Sequence, residues 1–107
     1  MARVRRDEVW EGVAPARTII RFKRLFRDGA IVEVVVHEVP GSVPGSLHGF
    51  KYRLVYVVDG ARVIGFDNER GKGDHMHLHG VERPYGFTSI RALLEDFRQA
   101  IEKERGE

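Results

Sequence analysis

The chain has no cysteine. No disulfide can staple it, and no thiolate can act as nucleophile or metal ligand. It also lacks any apolar run near the 18 or so residues that suggest a membrane span. Its start, MARVRRDEVW, lacks the apolar core of a signal peptide. A cytoplasmic protein that spans no membrane is the expectation. No internal repeat, low-complexity tract or long linker divides the 107 residues, which are enough for one domain with one modest core. A large excess of one charge is missing too, since the formal net charge is only +2. Its distribution is uneven, however. Residues 1–27 carry eight cations against three anions, whereas the segment from Ile90 onward carries four against five. A basic end of this kind suits a phosphate backbone or an acidic partner protein, or is simply a solvated surface.

What is present reads as strands followed by one helix. Residues 1–15, with Val9, Trp10 and Val13, form an N-terminal arm of undetermined structure. In ARTIIRFKRLFRDG, Ile20, Phe22 and Phe26 share one parity while Arg17, Arg21, Lys23 and Arg27 share the other, as a half-buried strand requires. Arg24 breaks the apolar parity, which leaves a bulge or a helix open. Asp28-Gly29 and Asp59-Gly60 are type I′ hairpin signals, because both central residues of that turn take positive φ. AIVEVVVHEVP, FKYRLVYVV and ARVIGFDN read as the next three strands, and HMHLH alternates as a fifth. In TSIRALLEDFRQAIEKERGE, apolar residues at Ile90, Leu93, Leu94, Phe97 and Ile101 recur at helical spacing, with Thr88 or Ser89 placed to cap. The expected architecture is one α+β domain over 1–107. It comprises the arm (1–15), a four- to five-stranded antiparallel meander sheet (16–80) and one C-terminal amphipathic helix (88–105) packed on one face. The other face is left for solvent, a ligand or a partner.

The stretch FDNERGKGDHMHLHG holds three of the five histidines at alternate positions behind a glycine-rich turn carrying both charges. His75, His77 and His79 would project to one side of a strand. His75 and His79 lie roughly 13 Å apart along a straight strand, too far for one ion with ligands at about 2.1 Å. A His75–His77 pair with a third ligand from a neighbouring strand, Asp67 or His37, is the feasible metal site. Metal-free RNA cleavage instead needs a base for the 2′-hydroxyl, an acid for the leaving oxygen and cations for the phosphorane-like transition state. Histidine can fill either proton-transfer role. Arg70 and Lys72 sit on the same glycine-rich turn, and Asp67 or Asp74 could fix an imidazole tautomer. The bland alternative is a solvated hairpin with histidines along an exposed strand. His37 among valines reads as a paired sheet histidine, and His48 as an exposed loop residue. Tyr52 and Tyr56 read as core or half-core. Trp10 reads equally as an anchor for a partner or as cover for the domain's own core.

The succession DGAIVEVVVHEVP, HGFKYRLVYVVDGARVIGFDNERGKGDHMH and RPYGFTSIRALLEDF resembles the TumE family of small toxins over roughly residues 17–101. That resemblance implies the toxin of a bacterial or archaeal type II toxin–antitoxin pair, with a helix-turn-helix antitoxin as partner. It draws attention to Tyr52, Arg53, Asp67, Asn68, Lys72, Asp74, His75, His77 and Tyr85. His79 departs from the family pattern, which weakens a three-histidine site. The reading taken from the sequence is a metal-independent endoribonuclease without cofactor. His75 and His77 share proton transfer, and Asp67 or Asp74 orients an imidazole. Arg53, Arg70, Lys72, Tyr52, Asn68 and Tyr85 hold RNA and its phosphates. The expected partners are the antitoxin, RNA and a second copy in a homodimer. The alternatives are a non-catalytic module that binds a helix-turn-helix protein and, less favoured, a small His-ligated metalloenzyme.

Overall fold

The computed structural model describes residues 17–69 and 71–107, so the N-terminal arm with Trp10 lies outside the described residues, as does Arg70. Six strands follow one another along the chain: β1 (Arg17–Leu25), β2 (Ile31–Glu38), β3 (Phe50–Val58), β4 (Ala61–Asp67), β5 (His75–Leu78) and β6 (Val81–Pro84). They pair in that order as one antiparallel meander, and the helix α1 (Ile90–Arg105) closes the chain. The α+β class and the C-terminal helix on one face are as expected, but among the described residues the sheet has six strands rather than four or five. The segment Val81-Glu82-Arg83-Pro84 carries little β signal in its composition. It is recruited by its turn, in which His79 (φ 49°) and Gly80 (φ 81°) both take the left-handed conformation of a tight hairpin. The fifth strand therefore stops at Leu78, and His79 is a turn residue rather than a member of the histidine face. Its Nε2 lies 2.8 Å from Glu104 Oε2 on α1.

The other hairpins show where local rules hold and where they yield. Asp59 (φ 51°) and Gly60 (φ 78°) form the expected two-residue turn. At Asp28-Gly29 only Gly29 is left-handed (φ 90°). Asp28 instead accepts the Ala30 N–H at Oδ1, 3.0 Å away, and the Phe26 N–H donates to Ala30 O at 2.8 Å, which makes a wider loop. In β1 the irregularity falls between Thr18 and Ile20, not at Arg24. Arg24 stays on the apolar face and lays its guanidinium 4.3 Å from the centroid of the Phe26 ring.

Period-two alternation sorts the two faces. Val32, Val34 and Val36 on β2, Tyr52, Leu54 and Tyr56 on β3, and Ile64 and Phe66 on β4 are all buried on the side covered by α1. The helix answers with Leu93 and Phe97, and the Phe97 ring meets Phe66 edge-on at 6.0 Å. Ser89 caps α1 by accepting the Ala92 N–H, and Gly106 (φ 77°) ends it with an N–H bonded to Lys103 O. Leu93 is fully buried. Leu93→Ala is expected to cost about 2–5 kcal/mol, read as a lower urea midpoint at unchanged slope. A loss below about 1 kcal/mol would mean that α1 is not docked here.

Candidate functional site

On the side away from α1, the strand register builds a polar cluster. Arg53 pairs with Asp67 across β3–β4, and Asp67 pairs with His75 across β4–β5. His77 pairs with Gly65 on β4 and with Glu82 on β6. All these side chains share one face because partners in register point the same way. Among the described residues no element packs across it. Nε2 of His75 lies 2.5 Å from Asp67 Oδ1 and 3.6 Å from Glu82 Oε1. The His75 and His77 rings meet edge-on at 5.0 Å. Arg62 lies along the bare backbone of Gly65, where a Cβ would come 3.0 Å from its Cδ. This glycine therefore lets the arginine lie flat beside His77. Burial lowers the His77 pKa and Arg62 lowers it further, against the opposing pull of Asp67 and Glu82.

The approach of His75 to Asp67 is close without being a hydrogen bond. His75 is only 4% exposed, and its Nδ1 lies 3.0 Å from the carbonyl oxygen of Gly73. A carbonyl only accepts, so Nδ1 carries the proton. Asp67 Oδ1 is buried and has no hydrogen-bond partner among the described residues.

The expected site residues separate into two groups. Arg53, Asp67, His75 and His77 converge on the uncovered face. Tyr52, Asn68 and Asp74 form a different structure, a polar hub that ties the β2–β3 and β4–β5 loops to β3. Asp74 Oδ1 accepts from Ser46 Oγ at 2.6 Å. Its Oδ2 accepts from His48 Nε2 at 2.6 Å and from Tyr52 OH at 2.7 Å. Burial would raise the Asp74 pKa, but these three bonds outweigh it and hold the carboxyl below its usual range. Burial and the Asp74 carboxylate together push the Tyr52 hydroxyl far up, which keeps it a donor. The Asn68 side chain takes the Tyr52 N–H at 2.9 Å and donates to Phe50 O at 2.6 Å, so an amide stands in for a strand backbone just past the end of β4.

Two of the remaining residues sit apart from both groups. Tyr85 donates to Asp96 on α1 at 2.5 Å and packs edge-on against Phe66, on the covered side. Lys72 pairs with Glu69 at 3.5 Å on the exposed turn.

His48 is not the exposed loop residue that its glycine- and proline-rich setting suggests. Its ring stacks on Phe87 at 3.7 Å between centroids, and its Nδ1 accepts the Phe50 N–H. No local signal reveals this, because Asp74 and Phe87 are distant in sequence. Glu82 and Arg62 were also missed at the site. Both could have been found from the register, given a sixth strand and a glycine opposite His77. His37 is a paired sheet histidine as read, with Nδ1 2.8 Å from Thr18 Oγ1. Tyr52 and Tyr56 are core.

No helix among the described residues is long and apolar enough to cross a membrane. No curated protein and no solved structure matches the chain at a significant level. The family model described as toxin TumE matches residues 2–105, a wider span than the resemblance read from the motifs and one that takes in the N-terminal arm. With nearly its whole length matched, the chain belongs to the TumE toxin family.

Proposed function

We propose that this toxin acts on RNA at the uncovered face of its sheet, by cleaving the phosphodiester backbone beside Asp67, His75 and His77. The observation that supports the reading is the convergence of these three side chains on the face where Arg53 and Arg62 supply positive charge. Cleavage needs proton transfer at the 2′-oxygen and the leaving oxygen together with cations on the phosphoryl group, and this face offers both kinds of group. A sheet surface rich in long basic side chains also suits an unpaired strand. On a metal-independent route His77 carries the proton transfer. His75, its Nδ1 held by the Gly73 carbonyl, and Asp67 beside it position the reacting groups.

End-labelled RNA incubated with the pure protein tests the reading. Wild type is expected to cleave, with Arg53→Ala and His77→Ala each slower by about 10²-fold or more. An inert wild type, or variants as fast as wild type, would sink it.

A second reading rests on a separate observation. Between β1–β2 and the C-terminal half of α1 runs a groove of about 570 Å³, floored by Ile20, Phe22, Val32 and Val34 and rimmed by Arg98 and Glu102. Phe22 is 49% exposed. Such a surface fits a protein segment better than a nucleic acid. A toxin implies an antitoxin, and a helix-turn-helix antitoxin could dock here whether or not the other face is catalytic. Substitution of Phe22 by Asp is expected to abolish co-purification with that antitoxin while leaving RNA cleavage intact.

A further inference from the structure

We infer that Asp67, His75 and His77 bind one divalent transition-metal ion of the zinc or manganese class, with a phosphate ester completing its coordination. One ligand atom from each residue, a carboxylate oxygen and two imidazole nitrogens, lies within 4.8 Å of the other two. The hydrogen-bond pattern around His75 asks for a cation. With Nδ1 donating to the Gly73 carbonyl, Nε2 is the ring's remaining ligand atom, and it lies 2.5 Å from Asp67 Oδ1 without a hydrogen bond between them. Atoms this close are stabilised by a positive charge between them, a proton or a metal ion. Oδ1 is buried and has no other partner among the described residues. An imidazole whose far nitrogen donates to a backbone carbonyl is in the usual posture of a metal-ligating histidine.

Donor chemistry sets the class of ion. Two imidazoles with one carboxylate favour zinc, manganese, iron or nickel over magnesium and calcium, which prefer all-oxygen shells. Three protein ligands leave a coordination position open, as in catalytic rather than structural sites. Glu82 stands 3.6 Å from His75 Nε2 and is available to a ligand water. Arg53 and Arg62 flank the cluster and favour an anion at the open position. Loading requires the Asp67–His75 gap to widen by about an ångström, since ligands about 2.1 Å from one ion stand farther apart than this. The inference goes beyond the RNA reading and alters its metal-independent form. With an ion in place His75 and His77 are ligands, and cleavage becomes sensitive to chelators.

Metal uptake is measured without RNA, so this inference and the RNA reading fail separately. The full-length protein, stripped with chelator, is titrated with zinc in a calorimeter and with cobalt(II) while its visible absorption is followed. One equivalent of each, with a visible cobalt band, is expected. His77→Ala and Asp67→Ala should each bind at least about tenfold more weakly. His79→Ala and His37→Ala should bind like wild type. Wild type needs no variant to fold correctly, and zinc is expected to raise its unfolding midpoint. No uptake and no rise in midpoint for wild type would overturn the site, as would equal loss of binding in His79→Ala.

Discussion

Asp74→Ala is expected to lose about 3–5 kcal/mol of stability, a large share of the roughly 5–15 kcal/mol typical of a domain this size. The carboxylate accepts from Ser46, His48 and Tyr52, and its side chain is only 10% exposed. The proton directions around it are consistent throughout. The Phe50 N–H donates to His48 Nδ1, which leaves Nε2–H free to donate to Asp74. Asn68 donates to Ser46, whose hydroxyl in turn donates to Asp74. Removing the acceptor leaves three donors without a partner, Ser46 and Tyr52 buried and His48 half-buried, and each unmet buried donor costs about 1–3 kcal/mol before relaxation. Asp74→Asn keeps the shape and one acceptor oxygen, so it should lose about half as much. Urea denaturation of the three proteins reads the order directly. A cost below about 1 kcal/mol for the alanine variant would show that the hub is incidental.

Gly45→Ala should be nearly as damaging for a different reason. Gly45 adopts φ 96°, and a Cβ there would stand 2.7 Å from the backbone nitrogen of Gly73. Gly73 is left-handed as well (φ 76°), and its own Cβ would come 2.9 Å from Gly45 O. The two loops therefore meet backbone to backbone, held by the Gly71 N–H donating to Pro44 O at 2.7 Å. Left-handed strain costs about 1–2 kcal/mol, and forced separation of packed backbone adds about 1–3 kcal/mol. Gly71→Ala is the internal control. Its φ is 84°, but nothing lies within 4 Å of the added carbon, so only the strain should appear. Equal losses in the two variants would mean that the loop contact does not form. The contact also bears on function, because the Gly73 carbonyl fixes the His75 ring.

Much of this was legible in the chain. Apolar alternation in VEVVV and YRLVYVV, with the spacing of Leu93 and Phe97, placed the covered face, because a buried face needs side chains of matching period. The same alternation put Arg53, Asp67, His75 and His77 away from the helix. Other assignments depended on partners far along the chain. Asp74 precedes His75 directly, yet it turns to Ser46 and His48, 28 and 26 residues earlier. Val81–Pro84 became a strand through the turn before it and the ladder with β5, not through its own composition.

By itself the sequence determined which residues face which way along β2, β3 and the helix, and which family the chain resembles. Side-chain direction follows from backbone period and needs no knowledge of neighbours. Only the tertiary structure decided that Asp67 would meet two imidazoles while Asp74 became the centre of a polar hub. That choice depends on strand register and on the contact between the loops at Gly45 and Gly73. Both are long-range contacts, invisible to any local window of the chain.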